Sequence, residues 1–403
     1  MSSSDSFIDK QMLHSPRDQS AYSMEHHVIR CPIIGEINVY IQGNRAVSNE
    51  VVIMTMHDLG CDYNMYQDFI DHPRMVPIRD RTVWLHLEVP GQSFNAADLP
   101  TDYQFPSMQV IAEDLITVLN VLNIKEVVCF GEGAGANILA RFAMANIGRV
   151  LGVCLLHTTG TAAGLFESIK DKVMKWKFDT AGMNASAEQY LVLHRFGGFS
   201  KARDNEELKT IVEQYQEILR NKINPKNLKQ FVCAFLKRTN IADNAKALSR
   251  CPVLLITGQH SIFNATTRAL HQAILKTCED KTKVEFIEVA GVANVLEERP
   301  DKLAECFQYF LQGLGLVSSI PMHNVRRMLR NRTMSMEDYD RPKRDSFNSR
   351  GSSFDQDGQF TPPPIADQRR GVLSETMRVG SVSPPGSPAI IAGHPIGPLV
   401  EEN

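Results

Sequence analysis

The chain has 403 residues, a formal net charge of -3 and 43% hydrophobic residues. This is enough apolar material for one large domain or two smaller ones with a polar remainder, and the near-neutral balance excludes the basic excess of a nucleic-acid binder. The 8 cysteines (Cys31, Cys61, Cys129, Cys154, Cys233, Cys251, Cys278 and Cys306) form no Cys-x-x-Cys pair, and several sit in apolar runs, so they fit a reducing compartment better than a disulfide framework.

Met1–Ser20 is polar with no apolar signal region, Ser2 lacks the glycine of a myristoylation signal, and Glu401-Glu402-Asn403 is no prenylation box. No apolar run approaches the ~18 residues of a membrane span, so a cytoplasmic protein is expected. Residues 1–27 are expected to be a disordered leader. Short, often β-branched runs then predict strands at Glu36–Ile41, Val51–Met56, Thr82–Leu87, Glu126–Phe130, Val150–Leu156, Val253–Thr257 and Val284–Val289. Between them, helical spacing predicts Met108–Leu122, Asn137–Ala145, Thr267–Leu275 and Lys302–Leu311. Strands alternating with helices imply right-handed crossovers and a mostly parallel sheet. Gly43, between the first two of these strands, suggests that they form an antiparallel hairpin.

From 162 to 245 only helical patterning remains (Phe166–Trp176, Ala187–Phe196, Asn205–Lys222, Pro225–Lys237), which reads as a helical cap over the sheet's carboxyl edge, where doubly wound folds bind ligands. The core is then 28–161 and 246–316. From 317 to 403, serine, proline, arginine and glycine dominate, periodicity vanishes, and a disordered regulatory tail is expected.

The informative motif is the strand ending Cys129-Phe130, the turn Gly131-Glu132-Gly133-Ala134-Gly135 and a helix opening at Ala136-Asn137. Strand, tight turn and helix are the context of the nucleophile elbow, Gly-x-Ser-x-Gly. A dinucleotide loop is the competing reading, but its ribose-binding acid is missing. The expected fold is therefore an α/β-hydrolase fold: a mostly parallel sheet flanked by helices, with the cap and tail described. At the elbow's centre stands Gly133, which has no atom to attack with. The acid expected after the strand Val253–Thr257 is replaced by Ser261, and the histidine expected in the turn Gly291-Val292-Ala293-Asn294 by Asn294, an amide that takes no proton at pH 7. No metal site, cofactor or catalysis is expected.

The strand Val51–Met56 ends in His57-Asp58-Leu59-Gly60, where such enzymes place an oxyanion loop. His57, Asp58, Gly60, Glu132 and His157 form a candidate pocket, and the plainer reading of His57 and Asp58 is a turn bonded to backbone. An unusual hydrolase or lyase would have to draw on Asp58, Cys61, Glu132 or His157, and no base–nucleophile pair is evident among them.

The loop His57-Asp58-Leu59-Gly60, the turn Gly131–Asn137 with Ala140-Arg141-Phe142-Ala143-Met144, and the strand Thr82–Gly91 with Pro90-Gly91 resemble the N-myc downstream-regulated protein family over roughly Val28–Leu316. The resemblance implies an inactive branch of the α/β hydrolases acting in stress response, differentiation, trafficking and signalling, with a phosphorylated tail. The tandem tail repeat of some members is absent here. In the tail, Arg330-Asn331-Arg332-Thr333-Met334-Ser335 resembles a target of basophilic kinases, so protein partners and such kinases are expected. Thr333 and Ser335 are candidate phosphate acceptors, and Thr361, Ser383 and Ser387 precede prolines. Arg326, Arg327, Arg330 and Arg332 also suit an anionic membrane surface.

Overall fold

The computed structural model describes residues 24–43, 51–160, 183–198 and 206–321. Its sheet has eight strands in the order β1-β2-β4-β3-β5-β6-β7-β8. They are β1 (Met24–Cys31), β2 (Gly35–Gln42), β3 (Val51–Met56), β4 (Thr82–Leu87), β5 (Val127–Glu132), β6 (Val150–Leu156), β7 (Val253–Gly258) and β8 (Val284–Val289). β1–β2 and β2–β4 pair antiparallel, and every other neighbouring pair is parallel. The central strands β3, β4, β5 and β7 are buried along their whole length. That is why they read as unbroken apolar runs: helices cover both faces of a parallel sheet.

The helices are α1 (Gln67–Asp71), α2 (Val76–Arg79), α3 (Met108–Asp114), α4 (Ile116–Val121), α5 (Gly133–Ala145), α6 (Ala185–Phe196), α7 (Glu206–Asn221), α8 (Pro225–Leu236), α9 (Ala245–Leu248), α10 (Asn264–Thr277), α11 (Val295–Glu298) and α12 (Pro300–Gly313). One face of the sheet packs Met54, Leu85, Cys129 and Val153 against Leu115, Leu119, Ile138 and Phe142. The other packs Trp84 and Phe130 against Phe69 and Phe307, with ring centroids 4.9 Å apart for Phe130–Phe307 and 5.5 Å for Phe69–Phe130.

The helical insertion is present as α6, α7 and α8. Asn184 caps α6 by accepting the Ala187 N–H, and Asn224 caps α8 ahead of Pro225, whose ring suits the first helical position. Asn227 of α8 donates to the carbonyls of Gly91 and Ala97 and accepts from the Leu99 N–H, so one buried amide fastens the insertion to the loop after β4. Arg141 of α5 reaches the hydroxyl and carbonyl of Thr239 from below.

Four expectations change. The hairpin partner of β2 is β1, not β3: Ile29 pairs with Ile37, and β2's other edge carries β4. β1 begins at Met24, inside the segment 1–27 expected to be disordered. As an edge strand it is exposed over its first half, so its sequence lacks a clean alternation. Met108–Leu122 is two helices separated at Leu115, and the break follows Asp114, whose carboxylate is turned out to accept the Ile33 and Ile34 N–H groups of the β1–β2 turn, each at 2.8 Å. The core also outlasts residue 316: Ile320 is buried, Gln312 donates to its carbonyl and Gln308 to that of Pro321. The predicted helix Phe166–Trp176 and the tail sites Thr333, Ser335, Thr361, Ser383 and Ser387 lie outside the described residues. No described helix is long and apolar enough to cross a membrane.

Candidate functional site

β5 delivers the chain into α5 without a loop. Glu132 is extended, Gly133 has φ +54° and α5 begins at once. A left-handed residue here turns the backbone sharply, and glycine adopts it without strain. A Cβ built on Gly133 would lie 2.4 Å from Cγ and from both carboxylate oxygens of Asp58. The space in front of the elbow, where a nucleophilic side chain would project, is filled by the carboxylate of a residue at the end of β3.

That carboxylate is held from two directions. Oδ1 accepts the Ala134 N–H at 2.7 Å, and Nε2 of His194 on α6 lies 3.0 Å from each oxygen. Both side chains are sealed, 2% exposed for Asp58 and 0% for His194. Burial alone would push the Asp58 carboxyl up, but the His194 charge and these hydrogen bonds outweigh it and hold Asp58 below the usual carboxylate range. The rim of His194 is aromatic, with Phe235 and Phe263 edge-on at 5.3 and 5.0 Å.

His57 behaves as the plainer sequence reading expects. With ring protons assigned from its partners, its Nδ1 donates to the Asp58 carbonyl at 2.8 Å and its Nε2 accepts the Val89 N–H at 3.0 Å. Burial lowers its pKa, so it is a neutral tie between the ends of β3 and β4. Asp58 departs from that reading, since it bonds across the elbow as well as to its own turn. Gly60, at φ +69°, lets α7 approach: a Cβ there would stand 2.5 Å from Leu219 and 2.7 Å from the Tyr215 hydroxyl, which donates to the Leu59 carbonyl.

The other candidates gather on the far side of the elbow. Glu132 Oε1 accepts from the Asn294 amide at 2.8 Å, while Oε2 is buried with no hydrogen-bond partner among the described residues. Desolvation pushes the Glu132 carboxyl up to about 8, against the opposing pull of Arg195. His157 stands 3.7 Å from Glu132 Oε1. Its own pKa is lowered by burial to about 4, and Nε2 accepts the Val295 N–H. The pair stands within ion-pair distance, but with the Glu132 carboxyl raised to about 8 and the His157 pKa lowered to about 4 both groups are neutral at pH 7, so it is a polar contact and not an ion pair. Asn294 uses its Oδ1 to cap α11 and its amide to reach Glu132 and the Arg195 carbonyl. Ser261 is not drawn in: its hydroxyl accepts from the Phe263 N–H within its own turn. The structure thus joins Gly133 with Asp58, and Glu132 with His157 and Asn294.

Sequence reasoning missed His194 and Arg195. Arg195 is buried, donates to Cys61 Sγ and Glu297 and lies 5.2 Å over the Tyr215 ring. Burial pushes the Cys61 thiol well up despite Arg195, so Cys61 is a poor nucleophile. Arg195, Cys61, Asn64, Gln214, Tyr215 and Glu297 border a cleft of about 320 Å³ that reaches neither Asp58 nor Glu132. A signal for His194 existed: it continues the apolar stripe Ala187–Leu191 of α6, and a polar residue on such a stripe is buried and needs a partner. Among the described residues no group of three or more His, Cys, Asp or Glu is arranged to hold a metal ion.

The sequence model described as the Ndr family matches residues 26–318. An uncharacterized protein of Caenorhabditis elegans, ZK1073.1, is 36% identical over 79% of this chain and 93% of its own length. Protein NDRG3 of Xenopus tropicalis is 28% identical over 75% of this chain and 79% of its own. Among solved structures, a thermophilic esterase from Thermogutta terrifontis superposes with a TM-score of 0.56 at 15% identity, covering 72% of this chain and 99% of the esterase. MGS-M2, an alpha/beta hydrolase enzyme from a deep-sea metagenome, gives 0.55 at 12% identity, over 69% and 94%. At such identities the likeness shows the fold alone: the chain has the α/β-hydrolase fold.

Proposed function

The chain belongs to the Ndr family, and from that premise we propose that it is a non-catalytic α/β-hydrolase-like adaptor acting in signalling, stress response, differentiation or trafficking. The observation that carries this reading is the carboxylate of Asp58 filling the space in front of Gly133. An acyl-transfer site needs a nucleophile there and a base beside it. Here the elbow residue has no side chain, Asn294 after β8 is an amide that takes no proton, and Ser261 after β7 is no carboxylate and is engaged in its own turn. His157 could be offered as a base, but it is neutral, sealed and committed to the Val295 N–H. The tail supplies the regulated part of the proposal. Phosphate at Thr333 or Ser335 would neutralise the arginines around it, and a cytoplasmic protein could leave an anionic membrane surface or change partners.

Purified full-length protein assayed on a panel of short acyl esters tests the core. Neither it nor Gly133→Ser should turn ester over above the uncatalysed rate, and turnover by either would overturn the reading. Liposome sedimentation of wild type, Ser335→Ala and Ser335→Glu tests the tail, with weaker binding expected for Ser335→Glu alone. A hydrolase with a displaced nucleophile is the second reading, because Asp58 stands at the elbow with an imidazole on it. Ester or alkyl-halide turnover abolished by Asp58→Asn would favour it. The sealing of both side chains counts against it, since His194 is 0% and Asp58 2% exposed.

A further inference from the structure

The cleft beside Arg195 is apart from the elbow and has walls of its own. Ile211, Gln214, Tyr215 and Ile218 of α7 line it, and their spacing puts them on a single helix face. Met65, Leu296 and Pro300 complete an apolar wall. The volume of about 320 Å³ has room for about ten non-hydrogen atoms at the ~30 Å³ of a water-sized group. That selects a small molecule over a partner's helix or strand.

The charge on the cleft is one-sided. Asp62, Asp68 and Glu297 line it, and among the described residues Arg195 is the one cation that does. That cation is committed. Its side chain is 6% exposed and donates to Cys61 Sγ and to Glu297, so Arg195 and Glu297 offset one another. Asp62 and Asp68 are left.

Asp62 is the informative one, because it is 3% exposed and has no counter-charge. Its oxygens accept from Asn64 alone, one from the backbone N–H and one from the side-chain amide, each at 3.0 Å. Both donors are neutral. Burial pushes the Asp62 carboxyl up against these bonds, and Glu88 adds a like charge instead of an opposite one. His57, also near it, is neutral. A charge at that depth is ordinarily paired with an opposite one, and here the open side of the carboxylate is a cleft of small-molecule size.

We propose that this cleft binds a small organic cation, a primary ammonium on an apolar body, with the ammonium at Asp62 and Asp68 and the body against Ile211, Ile218 and Met65. An ammonium supplies the counter-charge that Arg195, tied to Glu297, does not, and a carboxylate of the same size is repelled by both aspartates. The inference goes beyond the non-catalytic reading and does not lean on it, since the cleft reaches neither Asp58 nor Glu132 and what it is assigned is binding.

Three probes of one shape test it: phenethylammonium, the neutral phenethyl alcohol and the anionic phenylacetate. Each is titrated into the full-length chain at pH 7 and followed by ligand-detected NMR. The expected result is saturable binding of the ammonium, at least about tenfold tighter than of the alcohol, with no binding of phenylacetate. Salt should weaken it, because Asp68 is exposed. Asp62→Asn keeps an oxygen for the Asn64 N–H and a good helix cap, and should weaken binding by about tenfold or more. Gln214→Trp fills the cleft from an exposed position of α7 and should abolish binding. Equal affinity for ammonium and alcohol, or tighter binding of phenylacetate, overturns the ligand class. No saturable binding of phenethylammonium, or binding that survives Gln214→Trp, overturns the site. Wild-type affinity in Asp62→Asn overturns the part given to the buried carboxylate. If Asp62→Asn does not fold, Asp68→Asn decides in its place, and undiminished affinity there overturns the charge argument.

Discussion

Two carboxylates flank Gly133, both essentially sealed from water, and they take opposite charge states. Asp58 has the Ala134 N–H at 2.7 Å and the His194 imidazole at 3.0 Å from both its oxygens. Glu132 has one amide from Asn294, a neutral imidazole at 3.7 Å and, among the described residues, an oxygen with no hydrogen-bond partner. Burial pushes both carboxyls up, and only Asp58 has enough compensation to fall below the ordinary range. The lesson is that depth does not set the ionisation of a buried acid. The supply of donors does.

The largest effect should come from stripping Asp58 of its long-range donor. His194→Ala leaves a sealed carboxylate short of a hydrogen bond beside a void; a hydrogen bond to a charged group is worth about 1.5–3 kcal/mol, and the cavity adds to the loss. Denaturant unfolding at pH 7 measures it. A loss below about 1 kcal/mol would mean that the Ala134 N–H suffices, and the contrast with Glu132 would weaken.

Gly133→Val attacks the same half from the other side. A β-branched residue at φ +54° is strained by about 1–3 kcal/mol. Its side chain must also displace Asp58, whose atoms stand 2.4 Å from the new Cβ, adding an overpacking cost of about 1–3 kcal/mol. The sum ranks with His194→Ala at its upper end. The two changes act through one contact, so in a double variant they should be less than additive. Full additivity would separate the elbow from the Asp58–His194 contact.

The sequence shows these two halves unequally. The alternation of apolar runs and helical stretches exposes seven of the strands, most plainly β3, β4, β5 and β7, which are buried along their whole length; β1, half-exposed at the edge, stays hidden. Gly133 and Asn294 are legible because each sits at a fixed offset from a strand end. The meeting of Asp58 with Ala134 and His194 is not, because it spans 76 and 136 residues and depends on how the insertion folds back. Ser261 reads as part of the site for the same offset reason, yet its hydroxyl is spent in its own turn. Spacing locates an element's end, and packing decides which side chain enters the space beyond it.

Glu132→Gln should give the smallest effect, and only pH reveals it. The folded-state pKa is raised to about 8 from 4.5, so the folded protein holds a proton that the unfolded chain has released. Stability from this group is full below about 4.5 and is lost as pH rises toward 8. His157 has the opposite sign. Its pKa is lowered to about 4 from 6.5, so stability falls as pH drops through that range, and between pH 4.5 and 6.5 the two groups oppose one another. Above pH 6.5 only the Glu132 slope remains of the two, at most about 1.4 kcal/mol per pH unit. Wild type should therefore lose stability from pH 6.5 to 8, whereas Glu132→Gln, which keeps an oxygen for Asn294 and has no proton to lose, should be flatter by that amount. The difference in unfolding free energy between the two proteins, measured at both pH values, is the test. If it does not change with pH, Glu132 is already ionised in the folded protein and the asymmetry with Asp58 is gone. If it changes as expected, Asn294 is donating to a neutral acid, and one side of the elbow is charged while the other is not.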